Sequence, residues 1–214
     1  MPPRESRRKR RPWIVAGAVV LLLIPVGILG VPILLHQNSG VSVQQPSTVP
    51  WPVEATSAGG DGRDRSFVVS GPDGAAVDTS ALTVGERIVV KGAGFDGTRG
   101  IYVAICVIPA DPSIKPGPCI GGVPDQVTDD AEVGTVQYAP SNWVNDDWAW
   151  KLFGARSYDD AAAGTFTAYL EVGEPSGENF DCAVDACGIF TRNDHTALND
   201  RVQDLYVPVA FAPR

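Results

Sequence analysis

Two histidines are the first candidates for acid–base chemistry, because imidazole titrates near neutral pH. His36 directly follows an apolar run, and His195 lies in the sequence Asn193-Asp194-His195-Thr196. Asp194 could orient a histidine, but no Gly-x-Ser-x-Gly motif supplies a nucleophile. Polar neighbours in a turn more often bond the local backbone. We therefore predict that His195 packs against or caps a loop, and we expect neither a catalytic residue nor an enzyme.

Four cysteines, Cys106, Cys119, Cys182 and Cys187, are the other reactive side chains. An even number of cysteines in a segment expected outside the cytoplasm indicates two disulfides. Three pairings are possible, and the simplest joins the first two cysteines and the last two. A zinc site is disfavoured, because neither pair has the Cys-x-x-Cys spacing.

Acidic doublets at Asp129-Asp130, Asp146-Asp147 and Asp159-Asp160 could offer oxygen ligands to a cation. No EF-hand loop surrounds them, so a solvated acidic face is the preferred interpretation. Haem would need an exposed tyrosine or histidine in an apolar cleft, and the spacing singles out none. No glycine-rich phosphate loop precedes a helix. We expect no metal and no cofactor.

The charge is distributed unevenly along the chain. Of its 17 basic and 25 acidic residues, six basic and one acidic lie within the first eleven. The remainder has 11 basic and 24 acidic side chains, and so a formal charge of −13. Such a surface repels phosphate backbones, so the charge disfavours nucleic acid as a partner.

The apolar run Trp13–Leu35 contains no charged residue and predicts a transmembrane helix. As a helix, its 23 residues would span roughly 34 Å. The basic residues 1–12 would form a cytoplasmic tail, which places the following residues outside the cell membrane. A cleaved signal peptide is the alternative, but the run exceeds the usual apolar region and no clear cleavage site follows. A lipoprotein is disfavoured because the first cysteine is Cys106.

Residues 36–65 are rich in Pro, Ser, Gln and Gly and predict a flexible linker, in which Trp51 stands out. From Ser66 to the C-terminus, short apolar runs alternate with glycine and proline. This pattern predicts an all-β fold, an antiparallel sandwich occupying residues 66–214. The predicted strands are Ser66–Ser70, Glu86–Lys91, Gly100–Ile108, Gly164–Val172, Gly188–Thr191 and Asp204–Phe211.

Three sequence segments resemble the neocarzinostatin family of secreted actinobacterial proteins. They are GAGFDGTRGIYVAICV, FDCAVDACGIF with its Asp-Cys-x(4)-Cys hairpin, and a terminal strand containing Val207, Val209 and Phe211. The similarity covers roughly Val68–Phe211. The segment RNDHTALNDRVQDLYVPVAF also resembles the ends of immunoglobulin-like domains in actinobacterial surface proteins. The resemblance implies a seven-stranded immunoglobulin-like sandwich with two local disulfides.

Members of that family carry a reactive enediyne in a cleft, partly lined by the strand that follows the cysteine hairpin. Here this strand contains Phe190 and Arg192, where smaller side chains are expected. Their bulk would narrow or remodel the pocket. The resemblance therefore implies the fold and the disulfides of that family more readily than its ligand. Carriage of a small apolar ligand, a chromophore or haem, is the alternative function.

The region 109–150 is long and poor in strand signals, and it contains Trp143, Trp148 and Trp150. Loops of this length are often functional, and aromatic side chains are enriched at binding hot spots. These tryptophans could equally fill a core. The leading hypothesis is a membrane-anchored extracytoplasmic interaction module with a protein partner in the envelope, such as an accessory subunit of an envelope or membrane complex. Candidate contact residues are the three tryptophans, Phe190 and Arg192.

A charged network is also expected near the C-terminus. Arg192, Asp194, Arg201 and Asp204 lie within thirteen residues of one another and could pin this loop to the sandwich.

Overall fold

The computed structural model describes residues 11–122 and 136–213. The chain divides into two compact units, Met1–Gln37 and Asn38–Arg214. In the first unit, helix α1 spans Arg11–Leu34, within one or two residues of the predicted apolar helix. Among the residues whose side chains are described, no helix is long and apolar enough to cross a membrane. Membrane spanning therefore stays a prediction, and most of the predicted basic tail lies outside the described residues.

The second unit consists mainly of two antiparallel sheets. Strands β1 (Val43–Gln44), β2 (Glu54–Ala58), β3 (Asp64–Ser70), β4 (Arg87–Ala93) and β7 (Phe166–Glu171) form the first sheet, in the order β1-β2-β3-β4-β7. Strands β5 (Ile101–Val107), β6 (Ser141–Val144), β10 (Cys187–Asn193) and β11 (Leu205–Val209) form the second, in the order β11-β10-β5-β6. A short ribbon pairs β8 (Ser176–Gly177) with β9 (Phe180–Asp181), and helix α2 spans Trp148–Lys151. The predicted all-β sandwich is confirmed.

The core lies between the two sheets because the strands alternate in side-chain direction. In β7, Phe166, Ala168 and Leu170 are buried, and the residues between them are partly exposed. Phe166 meets Phe95 edge to face, with ring centroids 5.0 Å apart. Strand β10 lies between β5 and β11, where Ile189 pairs with Ile105 on one side and Val207 on the other. A slip of one residue would turn these side chains away from the core, so burial fixes the register.

All six predicted strands are present, but the sandwich begins earlier than predicted. β1 and β2 lie within residues 36–65, the predicted flexible linker, and both pair with the first sheet. The inward residues of β2 include Ala55 and Ser57, which are too small and too polar to give an apolar alternation. Strand β6 likewise lies in the region 109–150, which showed few strand signals, and pairs with β5.

Two side-chain amides join the sheets at their open edges. Gln44 of β1 donates to Tyr206 O and accepts from Tyr206 N, each at 2.9 Å. Asn142 of β6 does the same with Tyr169 of β7, at 2.8 and 2.9 Å. Each amide thus satisfies both backbone groups of a residue in the facing sheet, as a neighbouring strand would.

The cysteines form the two local pairs. Cys106 in β5 bonds Cys119, and Cys182 bonds Cys187 at the start of β10. The first disulfide ties the segment 109–118 to the second sheet, on the face that points away from the core. The simplest of the three possible pairings is confirmed.

Candidate functional site

Asp194 is the buried centre of the site. Its Oδ2 accepts hydrogen bonds from Trp143 Nε1 at 2.8 Å and from Asn145 Nδ2 at 2.9 Å. Its Oδ1 accepts from the backbone and hydroxyl of Thr196, which caps the 3₁₀ turn His195–Ala197. One carboxylate therefore joins β6, the segment after it and this turn, and four donors satisfy its two oxygens.

Gly100 leaves the space that this carboxylate occupies. Its carbonyl accepts from Asp194 N at 2.9 Å, just before β5 begins. A Cβ at this position would overlap the Asp194 carboxylate and the Asn145 amide. The close approach requires glycine because the overlap involves atoms that are themselves held by hydrogen bonds.

His195 lies among aromatic rings. Its Nδ1 is 3.0 Å from Tyr102 Oη, and its ring centroid is 5.2 Å from Trp143 and 4.7 Å from Trp150. Burial, helped by the charge of Asp194, raises the pKa of Tyr102 to about 12, so this phenol stays protonated. The prediction that His195 packs against a loop is confirmed.

Helix α2 lies in a loop that is closed at its base and capped at its start. Asn145 N donates to Arg156 O, and Arg156 N donates to Trp143 O, both at 2.8 Å. Asp147 accepts from Ala149 N at 2.9 Å and caps the helix. The backbone of the loop is thus bonded at both ends to ordered structure.

Trp150 packs the loop against the second sheet. The centroid of its ring is 5.8 Å from that of Trp143. Trp143 forms a small cluster with Tyr102 and Ala155, and Trp150 packs against this cluster. This small cluster lies on the outer face of the second sheet, separate from the core between the sheets. Core filling was one of two alternatives for the tryptophans, and Trp143 and Trp150 instead pack in a satellite cluster outside the core between the sheets.

Three large apolar side chains on this loop point into solvent. Trp148 is 70 % exposed, Leu152 73 % and Phe153 51 %. We call these three residues the α2 knob. An ion pair of 3.1 Å between Lys151 and Asp146 lies beside it. Exposed apolar groups on a fixed backbone are typical of a binding surface, because little conformational entropy remains to be lost.

The candidate contact residues thus separate into exposed and buried groups. Of the three tryptophans, Trp148 is exposed, Trp150 half-buried and Trp143 buried. Leu152 and Phe153 were not predicted, although they directly continue the Trp-Ala-Trp-Lys run. A cluster of large apolar residues between polar ones was the signal for them.

Phe190 and Arg192 do not line an open cleft. Phe190 is buried and stacks on Tyr206, with centroids 4.7 Å apart. Arg192 Nη1 donates to Pro116 O at 3.2 Å, and its guanidinium lies 5.5 Å from the Tyr102 ring. The segment held by the Cys106–Cys119 disulfide packs against both residues, so the chain itself covers these two side chains.

The predicted charged network is smaller than expected. Arg201 Nη1 is 3.0 Å from Asp204 Oδ2, and Arg201 Nη2 donates to Leu198 O. Asp194 bonds the aromatic site instead, and Arg192 bonds Pro116. Burial raises the pKa of Asp204 to about 7 and outweighs the opposing effect of the two arginines.

Metal ligands do not converge in the described residues: no three His, Cys, Asp or Glu side chains there could hold one ion. The doublet Asp129-Asp130 lies outside those residues. An open groove of about 540 Å³ lies beside Tyr206, between the segment 44–56 and the residues Ile108, Tyr206 and Pro208.

Comparison with known proteins gives one similarity. The chain is 29 % identical over 136 residues to a protein of Corynebacterium glutamicum named thiamine biosynthesis protein X. The aligned part covers 64 % of this chain and 61 % of that protein, so the chain spans less than two thirds of its length. No family model matches the sequence, and no solved structure matches it.

Proposed function

We propose that this chain is a membrane-anchored binding module of the cell envelope, in which the α2 knob is the contact surface. Exposure of Trp148, Leu152 and Phe153 on a loop fixed by hydrogen bonds is the observation that carries the proposal. Large apolar side chains in such positions supply binding free energy when they are covered. The fold supplies a rigid support, as interaction domains require.

The extracytoplasmic location is supported by two disulfides, which persist in oxidising compartments. The anchor is supported by the uncharged run Trp13–Leu35 and the basic residues before it. We infer further that β2, β3, β4 and β7, with β5, β10 and β11, correspond to the seven strands of an immunoglobulin-like sandwich. The neocarzinostatin-like assignment belongs to the same proposal.

Fractionation and in-cell cross-linking test the proposal. The full chain should remain in membranes after a carbonate wash and keep its uncleaved mass, with the sandwich open to protease from outside. A photo-reactive residue in place of Phe153 should give adducts. The same residue in place of Val184, which is 84 % exposed in the Cys182–Cys187 hairpin, is the matched control. Release by carbonate, or equal adducts at both positions, would refute the proposal.

Carriage of a small apolar ligand is the second candidate. The groove beside Tyr206 has a volume within the range of ligand sites and lies next to the Phe190–Tyr206 stack. Its wall is largely a proline-containing segment, and Phe190 itself is covered. An absorbance scan of the purified chain, with mass spectrometry of an organic extract, would detect a bound chromophore or haem.

A further inference from the structure

The chain enters the sandwich at a defined place. Asn38 Nδ2 donates to Asn199 O at 2.9 Å, and Ser42 N donates to Arg201 O at 3.1 Å. These bonds fix the first residues of the second unit against the segment that immediately follows the 3₁₀ turn His195–Ala197. The start of the domain is thus attached to one end of the sandwich.

The α2 knob lies at the same end. The 3₁₀ turn contacts the knob's loop through His195, whose ring is 4.7 Å from Trp150. Leu198, directly after the turn, is 46 % exposed and adds to the apolar surface. The first residues of the domain and the loop that carries the knob therefore both contact the short segment from His195 to Arg201.

The covalent chain limits how far this end can lie from the apolar segment. Only His36 and Gln37 separate Leu35 from Asn38. Three fully extended steps span at most about 11 Å. A bilayer headgroup layer is roughly 5–8 Å thick on each side of the hydrocarbon core. If the apolar segment is held in a bilayer, Asn38, at the end of the sandwich that carries the knob, is therefore no more than about 11 Å from the last residue of that segment.

The composition of the knob suits that surface. Tryptophan is favoured at the headgroup level, and leucine and phenylalanine are typical of the apolar side of interfacial segments. The amine of Lys151 is paired with Asp146, so its charge is partly compensated beside the knob. The domain is strongly acidic, so attraction to anionic lipids does not drive such a contact. The covalent link to the apolar segment raises the effective concentration of the knob at the lipid surface, so three apolar side chains suffice for a contact.

We propose that the α2 knob inserts into the headgroup layer of the same bilayer that holds the chain's apolar segment. This inference rests on the proposed function and names the partner of its contact surface. Insertion would give the sandwich a second attachment to the membrane and fix its orientation. The hairpin that carries Val184 would then point away, because the strand Cys187–Asn193 separates it from the turn by about 20 Å.

The test uses the full chain reconstituted in phosphatidylcholine nanodiscs, with p-benzoylphenylalanine in place of Phe153 or of Val184. After illumination, lipid adducts are quantified by mass spectrometry. We expect at least about five times more lipid adduct at position 153 than at 184. Trp148→Ser should lower the adduct at 153 by about threefold, and Val184→Ser should leave it unchanged.

The outcomes separate the two proposals. Equal adduct yields at both positions, in a chain that is incorporated into the discs, overturn lipid insertion and leave the anchored module intact. Protein adducts in cells at position 153, without lipid adducts, also overturn lipid insertion and favour a protein partner. Failure of the chain to enter the discs overturns the anchor and, with it, lipid insertion.

Discussion

The side chain of Asn142 makes two hydrogen bonds to the backbone of Tyr169, although the residues belong to different sheets. Tyr169 O also accepts a hydrogen bond from Ala139 N, so more than one residue before or within β6 bonds to this edge strand. The amide is buried and therefore sheltered from competition with water. The pairing holds β6 in place, and β6 in turn carries Trp143 into the site.

Asn142→Ala should lower the free energy of unfolding by about 2 kcal/mol, because it leaves the part-buried backbone N–H of Tyr169 without its partner. Urea unfolding followed by circular dichroism measures the change. Asn38→Ala is the control: this amide also makes two hydrogen bonds, to Asn199 O and from Gly40 N, but it is exposed to water, so its loss should change stability by less than about 0.5 kcal/mol. Equal changes in the free energy of unfolding would show that the Asn142 amide stabilises the fold no more than an exposed amide does.

Asp194→Asn should destabilise the chain by about 3 kcal/mol, despite its nearly identical shape. The new amide must turn a donor or a weaker acceptor toward Trp143 Nε1, Asn145 Nδ2 or Thr196, all of which donate. Urea unfolding gives the size of the effect. Asp185→Asn, at an exposed carboxylate that accepts from Asp181 N, is the matched control and should be near neutral. A neutral Asp194→Asn variant would contradict the assigned role of Asp194.

Asp204 should make stability fall as pH rises. Its pKa is raised from the ordinary value of 3.8 to about 7 in the folded chain, so between these values the folded state binds more protons than the unfolded state. The free energy of unfolding then decreases with rising pH in this window and levels off above about 7.

Asp204→Asn isolates this contribution. The stability of the original chain minus that of the variant, from urea midpoints between pH 4.5 and 8.5, should decline toward neutral pH. The comparison cancels the other titrating groups, which are shared. A difference that rises with pH would mean that the Arg201 ion pair outweighs burial of the carboxylate.

The exposed and buried tryptophans of the loop should respond differently to truncation. Trp148→Ala should alter stability by less than about 0.5 kcal/mol, because the side chain is mostly in water. Trp150→Ala should cost about 2–3 kcal/mol, because its ring packs against Trp143 and His195. Thermal unfolding of both variants measures the contrast. A larger loss for Trp148→Ala would show that its side chain is covered within the chain.

The strands that could be predicted from sequence are those with large apolar side chains in alternation. In β11, Leu205, Val207 and Val209 face the core and mark the strand clearly. In β2, Ala55 and Ser57 occupy the inward positions, so the strand has no apolar signal of its own. It forms because β1 and β3 pair with it, which is information held elsewhere in the chain.

The site was predictable only in its local part. The turn at Asp194 follows from the residue types around it, whereas its partners Trp143 and Asn145 are 51 and 49 residues away. No local pattern indicates which side chains will meet across that distance. The same holds for Trp148 and Trp150, since packing against the distant residues Trp143 and His195 decides which of the two faces inward.

The hydrogen bonds of Gln44 and Asn142 at the sheet edges have a consequence for copies of the chain that lie close together. An unpaired edge strand can accept a strand from another molecule and so start a growing fibre. In the part of the chain that the structure describes, β1 and β11 shield each other through Gln44, and β6 and β7 through Asn142. Many copies could therefore stand side by side on one surface without joining edge to edge.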